Sequence, residues 1–61
     1  MIRFRQLEIG KTFIYYGAKY IKTRNLEKTN AGIRDYGNNC VRLDNGKEFR
    51  IHGSCLVKEL A

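Results

Sequence analysis

Apolar residues in this chain recur with period two in short runs that Gly, Asn and Asp interrupt, and no stretch carries the spacing of an amphipathic helix. That pattern restricts the chain to short strands joined by tight turns. The strand candidates are 2–5, 11–16, 19–24, 31–35, 39–43, 47–51 and 55–58. The 61 residues make one domain, 1–61. A chain so short buries only about 60% of the surface its unfolded form exposes. Closing a sheet on itself removes exposed edges, so the expected fold is all-β: a small, strongly bent antiparallel barrel, SH3-like, of five or so short strands. The most polar connection, NLEKTNAG at 25–32, is expected as the mobile loop, with one helical turn over NLEK.

Two hairpins allow a register to be read. In CVRLDNGKEFRI a two-residue turn at Asn45-Gly46 would mix apolar and charged residues on one face. A three-residue loop, Asp44-Asn45-Gly46, with Gly46 in the left-handed region, pairs Val41 with Phe49 and Arg42 with Glu48. Val41, Leu43, Phe49 and Ile51 then face the core, and Arg42, Glu48 and Arg50 face solvent. The first hairpin, in FIYYGAKYIKTR, turns near Gly17. A two-residue loop at Gly17-Ala18 aligns Ile14 with Ile21. A three-residue loop, Gly17-Ala18-Lys19, turns Phe13, Tyr15, Ile21 and Thr23 inward and is preferred because it buries the larger ring. Both registers put Ile21 inside and Tyr20, Lys22 and Arg24 together outside.

Twelve Lys and Arg against six Asp and Glu give a net charge of +6, which makes polyanions the first partners to consider. The candidate nucleic-acid surface is Tyr20, Lys22 and Arg24, joined by Lys19 or Lys11 and by Arg42 and Arg50 of the second hairpin. Cations there would neutralise phosphates, and an exposed tyrosine ring would stack on an unpaired base. The plainer account is that the tyrosines shield the core with wet hydroxyls and the cations solubilise the strands.

Other chemistry finds little support. Cys40, His52 and Cys55 are the only soft metal ligands, and no Cys-x-x-Cys knuckle accompanies His52-x-x-Cys55, so no metal is expected. A single histidine excludes a two-histidine ribonuclease centre, and there is no Gly-rich phosphate loop, so neither catalysis nor a cofactor is expected. No apolar run reaches membrane-spanning length, and the N-terminus lacks the pattern of a signal peptide. The expectations are therefore a cytoplasmic chain, no membrane partner and free thiols.

The spacing Phe4-x-x-Leu7-x-x-Gly10-x-x-Phe13, followed by Tyr20-x-Lys22 and Leu56-Val57, resembles small uncharacterised phage and prophage proteins with SH3-like β-barrels. The resemblance spans nearly the whole chain, but on mostly structural positions. It implies core anchoring by Phe4, Leu7 and Phe13, a turn at Gly10, and an accessory role in a mobile element. The functional expectation is a non-catalytic module that binds RNA or DNA. The alternative is an adaptor or inhibitor of a host protein, with tyrosine and arginine as interface anchors. A homodimer would serve to hide an open sheet edge.

Overall fold

The computed structural model describes residues 1–26, 28–29, 32–33 and 37–60, with backbone alone for 28–29 and 32–33. In chain order these form β1 (Ile2–Arg3), a 3-10 turn (Phe4–Gln6), β2 (Thr12–Tyr15), β3 (Ala18–Lys22), β4 (Lys28–Thr29), β5 (Gly32–Ile33), β6 (Cys40–Arg42), β7 (Glu48–Phe49) and β8 (Leu56–Glu59). Six strands make one antiparallel sheet in the order β1-β8-β2-β3-β6-β7, and β4 and β5 pair separately. The all-β expectation holds. The sheet is open, however: β1 and β7 are its two edges, where a barrel would join them. Of the expected helical turn, Asn25 and Leu26 are not helical and Lys28 lies in a strand, while Glu27 and parts of the expected loop and of the strand 31–35 fall outside the described residues.

The first hairpin turns one residue earlier than either expected register. Tyr15 pairs with Ala18 and Phe13 with Tyr20, leaving Tyr16 and Gly17 as a two-residue loop. Both loop residues have positive φ, 49° and 76°, the pattern of a type I′ turn, whose twist matches that of the flanking strands. Ring packing provides a reason for this register. Phe13 and Tyr20 stack with centroids 5.5 Å apart, while Phe4 meets Phe13 edge-on at 5.3 Å and Phe49 meets Tyr20 at 5.7 Å. Aromatic rings bury more area than isoleucines, so the face that collects them becomes the core. The expectation for β3 is therefore reversed: Tyr20 (7% exposed) and Lys22 (1%) face inward, and Ile21 is half-buried on the opposite face beside Val41.

The second hairpin is also shifted by one. Cys40 pairs with Phe49 and Val41 with Glu48, and the loop is closed by Arg42 N–H to Lys47 O at 2.9 Å and Gly46 N–H to Arg42 O at 2.8 Å. Four residues, Leu43 to Gly46, thus replace the expected three. The slip turns Cys40 into the core, moves Val41 to the other face and leaves Leu43 49% exposed, whereas Phe49 and Ile51 pack inward as expected. Asn39 explains how Ile51 stays there without a partner strand. Its side-chain amide donates to Ile51 O at 2.8 Å and accepts from Ile51 N–H at 2.9 Å, extending the ladder by one buried rung.

The N-terminal segment closes one end of the core. Phe4 and Leu7 are buried, as the spacing motif implied, and Gly10 makes its turn at φ 90°. Gly46 also adopts the positive φ expected of it, 69°, with open space where a Cβ would stand. Replacing it with valine therefore costs backbone strain alone, about 1–2 kcal/mol, and should lower the melting temperature by roughly 4–16 °C. Thermal denaturation followed by circular dichroism measures this, and an unchanged midpoint would refute the conformational role.

Candidate nucleic-acid interface

The six expected site residues do not form one surface. Tyr20 is a core ring. Lys22 is sealed inside, where its Nζ donates to Phe4 O at 3.1 Å and Leu7 O at 2.7 Å and lies 4.7 Å from the centre of the Phe4 ring. Burial lowers the pKa of this ammonium below the ordinary lysine value. Arg24 is half-buried, with its Nε donating to Asn38 O at 2.9 Å. Arg42 pairs with Tyr20 on the inner side, and its Nε bonds Asp44 Oδ1 at 2.8 Å, which raises its pKa. Lys19 and Arg50 are exposed, as expected, and so is Lys11.

Register assembles a different surface. Ile14 pairs with Lys19 on one side and with Lys58 on the other, so the row Lys58–Ile14–Lys19 crosses β8, β2 and β3 on the face opposite the core. With strands spaced about 4.8 Å apart, the two lysines are rooted roughly 10 Å from each other. Both are exposed. At the tip of the same hairpin stands Tyr16, 90% exposed, with its ring centre 4.6 Å from that of Tyr15 in an edge-to-face contact.

Between the tip and β8 lies a largely apolar cleft of about 530 Å³, lined by Met1, Ile14, Tyr15, Tyr16, Leu56 and Lys58 among others. The cleft forms because β8 divides its pairing: Leu56 and Val57 follow β1, while Lys58 and Glu59 follow β2. Cys55 stands on its wall, and the Tyr15 hydroxyl lies 4.0 Å from the Cys55 sulfur. Burial, then the thiol and Tyr16, push the Tyr15 phenol above its ordinary pKa.

Tyr16 could not be singled out from sequence, because a tyrosine is a poor residue for a position that needs positive φ. Lys58 was likewise missed. Its position opposite Ile14 depends on a long-range pairing of β2 with β8, which no local pattern announces.

The possible metal ligands are dispersed. His52 Nδ1 lies 2.7 Å from Ser54 Oγ and accepts from Ser54 N–H at 3.1 Å, while Cys40 is a core residue with its sulfur 3.4 Å from Phe49 O. Among the described residues no three His, Cys, Asp or Glu side chains gather where they could hold a metal ion. No helix of the described residues is long and apolar enough to cross a membrane. Comparison with protein-family models, with curated proteins and with solved structures finds no match to the chain.

Both cysteines are free, but in different settings. Burial pushes the Cys40 thiol up to about 11, whereas Cys55 is half-buried on the open cleft. At pH 8 an aromatic disulfide reagent should titrate one thiol per chain in the native protein and two after denaturation. Cys55→Ser should remove the native reaction, and equal rates for the two thiols would refute this assignment.

Proposed function

We propose that the chain is a non-catalytic module that binds RNA or DNA at the tip of the first hairpin. Tyr16 is the stacking ring, and Lys19 and Lys58 meet the phosphates. One observation carries this reading: a tyrosine occupies a positive-φ turn position while 90% exposed. A non-glycine residue in that conformation costs about 1–2 kcal/mol, and a ring 90% exposed recovers only part of it through its edge-to-face contact with Tyr15. A residue that costs stability and contributes little packing is explained by what it contacts outside the chain. The flanking lysines and the net charge of +6 fit a polyanion, and the adjoining apolar cleft offers space for one unpaired base.

The same cleft would accept an apolar side chain, which supports the second reading of an adaptor or inhibitor that grips a host protein through Tyr16. Under either reading the resemblance to phage and prophage proteins suggests an accessory role in a mobile element.

Fluorescence anisotropy with labelled single-stranded oligonucleotides, repeated across salt concentrations, tests the first reading. Affinity should fall linearly in log salt, and Lys19→Ala with Lys58→Ala should reduce the slope by about 1–2. Tyr16→Asn should act in opposite directions on two measurements. It relieves the turn and raises the melting temperature by roughly 4–8 °C. It also weakens binding by about 5- to 100-fold, the equivalent of losing one stacked base. No oligonucleotide binding at low salt would overturn the reading, and a protein retained on the wild type, lost with Tyr16→Asn and indifferent to nuclease would favour the second.

A further inference from the structure

The charge of Lys22 is unbalanced. Its ammonium is 1% exposed, yet its hydrogen-bond acceptors are two neutral carbonyls, and among the described residues no carboxylate reaches it. Buried charges are ordinarily paired, because carbonyl dipoles and an aromatic face compensate only part of the lost hydration. An ammonium has three N–H donors, and the two carbonyls take two of them.

Lys22 also lines a second cleft, of about 350 Å³, on the opposite side of the core from the hairpin tip's lysine row. Arg5 and Asn25, both exposed, line it too, and so does Gly53. Arg5 is held there by its backbone: its N–H donates to Gly53 O at 3.0 Å, and a Cβ on Gly53 would come within 3.1 Å of the Arg5 Cβ. The missing side chain at residue 53 lets the arginine stem lie close beside the cleft. The buried cation Lys22 thus stands in the wall of a cleft whose rim carries the exposed side chains of Arg5 and Asn25.

We propose that this cleft binds a phosphate group. A phosphate monoester or inorganic phosphate carries about 1.5 to 2 negative charges at neutral pH, which Lys22 and Arg5 together can balance, and a guanidinium presents its donors in the fork geometry that phosphate oxygens accept. Asn25 supplies a neutral donor, and Lys22 supplies the charge that gives the site its depth. The site is independent of the hairpin tip and stands whether or not Tyr16 binds nucleic acid.

The test is a titration of the labelled protein with sodium phosphate, at an ionic strength held constant with sodium chloride, followed by amide chemical shifts. Saturable shifts are expected at Arg5, Asn25 and Gly53, together with a rise in melting temperature that chloride alone does not produce. Arg5→Gln, a surface change that leaves the core intact, should weaken the apparent affinity by about tenfold or more, as loss of a charge-assisted contact implies. Lys22→Met should abolish saturation, and should it fail to fold, Arg5→Gln decides alone. Lys19→Ala with Lys58→Ala should leave the titration unchanged. A 5′-phosphorylated oligonucleotide that reproduces the shifts, where its 5′-hydroxyl counterpart does not, identifies a nucleic-acid end as the source; shifts with inorganic phosphate alone identify the free ion. Absence of saturable shifts at Gly53, or the same affinity in Arg5→Gln, overturns the proposal.

Discussion

The buried ammonium of Lys22 is the contact on which the arrangement of the chain depends. The 3-10 turn gives the Phe4 carbonyl only the Leu7 N–H, at 3.1 Å, leaves the Leu7 carbonyl without a partner inside the turn, and buries both residues. Lys22 bonds both carbonyls from β3, fifteen and eighteen residues away. Its backbone adds a second tie, donating to Lys11 O at 3.0 Å and accepting from Gly10 N–H at 2.8 Å. The N-terminal segment is thereby fixed over the open end of the sheet, with Phe4 in the aromatic cluster. An apolar side chain at position 22 would avoid the desolvation of a charge but would orphan the Leu7 carbonyl, at about 1–3 kcal/mol, and leave Phe4 O with the Leu7 N–H alone.

Fixing Lys22 inward decides what the opposite face can do. Side chains alternate along a strand, so the residues between Tyr20, Lys22 and their partners are committed outward: Lys19 and Ile21 on β3, Thr12 and Ile14 on β2, Lys58 on β8. Two free-standing lysines therefore share a face with a thin apolar stripe. The core residues closest to the expected binding set, Tyr20 and Lys22, are the reason that set could not be a surface. Their chemistry is used inside, in ring stacking and carbonyl capping, and the external role falls to neighbours one residue along.

What was legible in the sequence follows from what is local. Period-two alternation announced the strands, and Phe4, Leu7, Phe13 and Ile51 lie inside as large apolar side chains favour, although Leu43 is 49% exposed. Gly46 and Gly10 take positive φ where a turn requires it. Register was not legible, because a slip of one residue inverts both faces, and the hairpins close on loops that local preference does not point to: Tyr16-Gly17, with a tyrosine at positive φ, and the four residues Leu43 to Gly46. Isoleucine looked like the core residue of β3 and tyrosine like its surface. The energetic comparison runs the other way once Phe4, Phe13 and Phe49 are present to receive the ring. Asn39 illustrates the same limit: an asparagine reads as a turn residue, yet its amide here replaces a strand rung for Ile51.

The misfit at Tyr16 and the unpaired charge at Lys22 are informative for the same reason. Each departs from the rule that local preference and global packing should agree, and the rest of the chain obeys that rule closely enough for the departures to stand out. A 61-residue domain has little stability to spare, so a strained exposed ring and a buried cation that meets no carboxylate among the described residues are expensive features to retain. Their clefts have no lining residue in common, which allows a ring-and-lysine surface and a phosphate cleft to act separately.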